Sequence, residues 1–130
     1  EILANTLVFQ LDRLPVLLQT IQETVGEYTQ HLPHVSRLPT IPLNRFPYLL
    51  PKDSDRSHIL RHFKKLGIFL GTWYDQPVGP GKVDLGAVRY RLGSCPDAED
   101  ITKRIMNLPT NVEEDTAQFV ARELNSVVSE

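Results

Sequence analysis

Apolar residues recur at alternating steps of four and three along the first quarter of the chain: Leu7, Leu11, Leu14, Leu18, Ile21, Val25, Tyr28 and Leu32. With 3.6 residues per turn, those steps place every one of them on a single stripe of a helix. The spacing predicts a helix over 1–32. Pro15 lies inside it. Proline has no N–H to donate and its ring crowds the preceding turn, so the expectation is a kink near Pro15 or two abutting helices. Asp12 would cap the second of these, with Pro15 in its first turn. A stripe of this kind either packs on a core or pairs with a second copy as a coiled coil.

The pattern then changes. Pro33, Pro39 and Pro42 punctuate 33–43, which reads as an extended linker. Residues 44–50 (NRFPYLL) have strand character, and Pro47 inside them points to an edge position or a bulge. Asp53 or Ser54 would cap a helix with Ile59, Leu60, Phe63 and Leu66 on its apolar face, and Gly67 fits its C-terminal stop. Ile68 to Tyr74 has strand composition, followed by a loop rich in Gly and Pro. Pro96 opens a further helix with Ala98, Ile101 and Ile105 on one face. Met106 to Pro109 reads as a short strand. Asn111 and Glu114 have capping-box spacing ahead of a last helix carrying Ala117, Val120, Ala121, Leu124 and Val128.

This order predicts an α+β fold: a long N-terminal helix, then a small sheet of about three strands with helices packed on one face. The divisions fall at 1–32, 33–43 and 44–130. With 130 residues and 41% hydrophobic positions, the chain can bury a core without a metal or disulfide staple. A net charge of −2 argues against a nucleic-acid partner, whose binders carry a basic excess. The single cysteine, Cys95, has no internal partner, which makes a reducing cytoplasm the expected location. No apolar run has the length of a membrane span. The N-terminus lacks an initiator Met and a helix cap, and reads as the middle of a helix, as in a fragment.

Few residues suit chemistry. His58 and His62 lie four apart on a predicted helix, a spacing that can serve a metal, but no Glu stands between them in the metalloprotease pattern. A solvated helix surface is the plainer reading, and no metal is expected; His31 and His34 flank Pro33 and offer no better site. Cys95 precedes a proline at a helix start, where a thiol gains some reactivity; a buried or capping role is the plainer reading. Lys52, Lys64, Lys65, Lys82 and Lys103 fall on polar faces or in turns, and none has the desolvated setting that a Schiff-base lysine needs. The one polar-aromatic cluster is Thr72 to Gln76 (TWYDQ), at the end of a predicted strand, where binding groups often sit on a rigid base. Trp and Tyr there suit a sugar or a cofactor ring; on the sequence alone, Trp73 as a core residue is the plainer reading. Arg89, Tyr90 and Arg91 alternate like a short strand and could meet anionic groups; a solvated surface is the plainer reading.

Several segments, taken in order, carry a resemblance. They are Ala4 to Leu14 (ANTLVFQLDRL), Tyr28 with Leu32, Arg45 to Pro51 (RFPYLLP), Gly67-Ile68, Trp73-Tyr74 with Pro77, Cys95-Pro96 with Ala98-Glu99, and Asn107 to Thr110 (NLPT). The ordered set resembles the C-terminal part of pyridoxal-phosphate (PLP) aminotransferases of the DegT type, which act on sugar nucleotides. The resemblance implies a fold-type I enzyme, usually a homodimer, that moves an amino group from an amino acid such as glutamate to a keto sugar nucleotide. It further implies that the catalytic lysine and the phosphate cradle lie in a large upstream domain absent from this chain. On that reading 1–32 is an inter-domain helix and 44–130 a small domain that closes the active site. The domain is inactive alone and binds no cofactor itself; Trp73, Tyr74 and Gln76 are its substrate-binding candidates. Two departures stand out. Where the family often has a histidine shortly after the aromatic-Pro segment, this chain has Gly79. The family's Asn-Arg element for the cofactor phosphate would fall before Glu1. With the large domain missing, the apolar surface it covered should drive self-association. The competing readings are a standalone interaction module that dimerises through its N-terminal heptads, and the small domain of another fold-type I enzyme acting on amino acids.

Overall fold

The computed structural model describes residues 2–33, 35, 41–79 and 83–129. The expected linker over 33–43 lies largely outside the described residues, as do His34, Lys82 and the Pro80-Gly81 turn. The elements run α1 (Ile2–His31), β1 (Phe46–Leu49), α2 (Arg56–Lys65), α3 (Pro96–Arg104), β2 (Ile105–Leu108) and α4 (Glu114–Val128), an α+β fold. They form two compact units: Glu1–Phe46 with Thr110–Asn125, and Pro47–Pro109 with Ser126–Glu130.

In the first unit α1 is one helix of 30 residues with Pro15 inside it. The expected split into two helices does not occur, and Asp12 lies in the interior, not at a start. A proline costs about 3 kcal/mol in a helix, and the uninterrupted turns on both sides outweigh that loss. The apolar stripe divides in function along its length. Ile21, Val25, Tyr28 and Leu32 are buried, whereas Leu7, Leu11, Leu14 and Leu18 are exposed. Thr24 is buried beside them because its hydroxyl is satisfied: it donates to Thr20 (3.0 Å) and lies 3.0 Å from the Val112 carbonyl. The Tyr28 ring meets Phe46 at 5.1 Å, and burial pushes its phenol well above the ordinary tyrosine range. From α4, Ala117, Val120, Ala121 and Leu124 are buried, as their spacing predicts. α4 begins at Glu114, so Asn111 lies two residues ahead of the cap position and the capping box is not where its spacing suggested. Asn125 donates to the His31 carbonyl (2.9 Å), satisfying one of the orphan acceptors at the end of α1.

The second unit is built on the antiparallel pair β1–β2. Leu50 donates its N–H to Arg104 (3.2 Å). Alternation then turns Tyr48 the same way and points the donorless nitrogen of Pro47 away from β2, which is how an edge strand tolerates proline. The expected third strand, Ile68 to Tyr74, shrinks to one antiparallel bridge between Gly71 and Asn107. Two causes are visible. On one side the ladder would next need a donor from Pro109, which has none. On the other, the Trp73 carbonyl is taken by the Asn107 side chain.

α2 is capped by Asp55, not by Asp53 or Ser54; its carboxylate accepts from the His58 N–H at 3.0 Å. Asp53 instead takes a positive φ of 73° in the preceding turn. At the other end Gly67 (φ 77°) donates to Lys64 and Ile68 donates to Phe63, the paired bonds of a Schellman stop. Of the expected apolar face, Ile59 and Phe63 are buried, Leu60 is half-buried, and Leu66, at the C-cap, is exposed. In α3 the buried residue is Thr102, while Ile101 is exposed and Ala98 half-buried, so the predicted apolar face is displaced. Polar anchors set that helix's rotation. Arg56 donates to the Thr102 carbonyl (2.7 Å) and the Ile105 carbonyl (3.1 Å), and Arg104 bonds both Asp100 and the Leu50 carbonyl.

The Asp55 cap yields a pH-dependent prediction. The His58 backbone N–H holds the Asp55 carboxyl below its ordinary value of 3.8. A depressed folded pKa contributes stability that is present above the unfolded value and lost as pH falls through the folded one. Asp55→Ala therefore lowers Tm at neutral pH. The gap between variant and parent closes as pH drops below 3.8. Thermal melts across that range check both halves of the expectation.

Candidate functional site

The polar-aromatic cluster Thr72 to Gln76 lies beside β2, directly after the Gly71 bridge. Gly71 exchanges two backbone hydrogen bonds with Asn107, at 2.8 and 2.9 Å. Two residues on, the Asn107 side-chain amide donates to the Trp73 carbonyl. One buried asparagine of β2 thus holds the chain at two points as it leaves the sheet. The peptide bond between Trp73 and Tyr74 is cis. Their rings stack on each other with centroids 4.8 Å apart and planes 29° apart. Both remain exposed, at 45% for Trp73 and 49% for Tyr74. Trp73 is therefore not a core residue.

Gln76 has a different position from its two neighbours. It is half-buried, and its amide nitrogen lies 3.2 Å from the Val78 carbonyl and 3.4 Å from the Val83 carbonyl. Of the three predicted site residues, Trp73 and Tyr74 are brought together at the surface, while Gln76 holds the loop behind them. Gly79 completes the arrangement: a Cβ there would come within 2.9 Å of Tyr74 Cδ1. Sequence reading passed over Asn107. The signal available was an asparagine within an apolar strand (IMNL), since a buried amide is costly unless its groups find partners.

The region before α3 is pinned by Glu99. Its carboxylate accepts from the Tyr90 hydroxyl (2.8 Å) and from the Gly93 N–H (2.6 Å). The Tyr90 hydrogen bond, then that of Gly93, hold the Glu99 carboxyl below its ordinary range. Cys95 sits at the cap position of α3, exposed, with no side-chain cap hydrogen bond, which corrects the expectation of a buried or capping thiol. A thiol is a poor acceptor for the free N–H groups of the first turn.

The remaining candidates lie on the surface. His58 is exposed and His62 half-buried, its ring edge-on to Phe63 at 5.6 Å. Among the described residues no group of three or more His, Cys, Asp or Glu is placed to hold a metal ion. Nor, among them, is any helix long and apolar enough to cross a membrane. Lys52, Lys64, Lys65 and Lys103 are exposed. A lysine that forms a Schiff base at neutral pH needs a desolvated or cation-flanked site, so the described lysines do not fit the requirements of PLP. A surface depression of about 410 Å³ includes Lys52, Asp55 and His58, but Asp55 is already committed to the α2 cap.

The chain matches no known protein family, no curated protein and no solved structure.

Proposed function

We propose that this chain is the small C-terminal domain of a PLP-dependent aminotransferase that moves an amino group from an amino acid to a keto sugar nucleotide. The observation that carries the reading is the state of α1 over residues 2–18. Every residue of that segment is exposed, Asp12 and Arg13 are its only charges, and Leu3, Val8, Phe9, Val16 and Leu17 stand outside the stripe of leucines. A helix that is apolar on all sides belongs inside a larger body. A large upstream domain is the body this reading supplies, with a homodimer partner adjoining it and the cytoplasm as its location.

The ordered motifs from Ala4 to Thr110 give the reading its chemistry. PLP supplies an electron sink for such a transfer; since the described lysines, Lys52, Lys64, Lys65 and Lys103, are exposed, its attachment falls to the upstream domain. The small domain then contributes the Trp73–Tyr74 surface to the substrate, with Gln76 bracing the loop. Positioning of that kind carries a large share of a rate, because a displacement of about 1 Å can cost about a hundredfold. Deleting 44–130 from the parent polypeptide should leave borohydride fixation of PLP in place and lower amino transfer by at least about a hundredfold. Transfer that survives the deletion would count against the assignment.

A further inference from the structure

We propose that the Trp73–Tyr74 stack is a preset platform for the flat face of a ligand ring, and that Asn107 is the residue that positions it. The inference rests on the substrate role given to this aromatic pair above and extends it to the kind of group bound. The aromatic rings that pack the interior, Tyr28, Phe46 and Phe63, are buried. Trp73 and Tyr74 instead cover each other and leave nearly half of each side chain open.

Their mounting is unusually complete for an exposed loop. Asn107, only 8% exposed, fixes Gly71 through its backbone and Trp73 through its side chain. Gln76 ties the far side of the loop to Val78 and Val83. Gly79 lies along one edge of the Tyr74 ring, where a Cβ would come within 2.9 Å of the ring and require it to shift. Burying the Asn107 amide costs more than burying an aliphatic residue at the same strand position, and what it secures is the carbonyl of Trp73. A rigid, solvent-facing aromatic surface binds with little loss of side-chain entropy. The chemistry it offers is stacking on a flat ring, and both the base and the pyranose of a sugar nucleotide present one.

Trp73 is the only tryptophan in the chain, so intrinsic fluorescence reports on the platform alone. The 130-residue chain is titrated with uridine monophosphate and, separately, with methyl glucoside. The expected result is a saturable change with at least one of the two. The first compound responding alone assigns the platform to the base, and the second alone assigns it to the sugar. Asn107→Leu removes the donor, and Gly79→Ala displaces Tyr74 without touching that hydrogen bond. Each should weaken the response about tenfold, with far-UV circular dichroism unchanged. Should Asn107→Leu fail to fold, Gly79→Ala, at an exposed loop position, decides the matter. Saturation by neither compound overturns the proposal. So does an affinity that stays the same in the folded variants while only Tm falls, because that is a purely structural role. The assay needs no cofactor. Ring binding without PLP fixation by the parent would sink the aminotransferase reading and leave this one standing, and the reverse result would sink this one alone.

Discussion

The chain is expected to self-associate through the exposed end of α1, and replacing Leu7, Leu11 and Leu14 together by glutamate should leave it monomeric. All three are exposed and continue the stripe whose other end, Ile21 to Leu32, is buried. Exposed contiguous apolar surface of this extent drives association in water. Each leucine covered by a partner contributes about 1.5–3 kcal/mol, so losing three of them raises the dissociation constant by at least about a thousandfold. The helix itself should survive, because glutamate is nearly as good a helix former as leucine, and unchanged circular dichroism separates lost association from lost folding. Sedimentation velocity over a range of concentrations reads the result. A parent chain that is already monomeric throughout the range would remove the premise.

The second large effect concerns the interior of the unit that carries the aromatic loop. Phe63 is fully buried, and Phe63→Ala should cost about 3–5 kcal/mol through lost transfer energy and the cavity left behind. That is a large part of the total stability of an ordinary domain. It corresponds to a fall in Tm of roughly 10–20 °C. Phe69→Ala, at a side chain 76% exposed, provides the contrast and should change stability by no more than about 0.5 kcal/mol. Paired urea denaturation of the two variants gives the comparison directly. Equal losses would mean that Phe69 is covered in solution, by self-association or by another part of the chain.

How much of this was legible in the residues depends on which force decided each element. Periodicity locates α1, α2 and α4 and the central residues of their buried faces, because burial follows spacing where one side of a helix packs, while Leu66 at the end of α2 is exposed. It could not tell that the α1 stripe serves two purposes, since Leu14 and Ile21 look alike in sequence and differ only in what covers them. α3 was misread in its facing because arginine side chains, Arg56 and Arg104, fix its end through backbone carbonyls, and polar anchoring of this kind has no period. The third strand failed for a reason partly written in the sequence: Pro109 cannot donate. The other half of that reason, Asn107 taking the Trp73 carbonyl, depends on residues 34 positions apart. In the candidate site, aromatic composition at a strand end singles out Trp73 and Tyr74, but it cannot tell an exposed ring from a core one, and both are exposed. Composition alone could not separate them from Gln76, whose amide turns inward.

On the aminotransferase reading proposed above, the chemistry resides in an upstream domain to which this chain is joined. The most direct measurement is borohydride fixation of PLP, followed by absorbance and by mass mapping of the modified lysine, on the parent polypeptide and on this chain side by side. The expected result is fixation at one lysine upstream of Glu1 in the parent, and none at a defined lysine in this chain. Fixation at a single lysine within the 130 residues, or none in either protein, would contradict it.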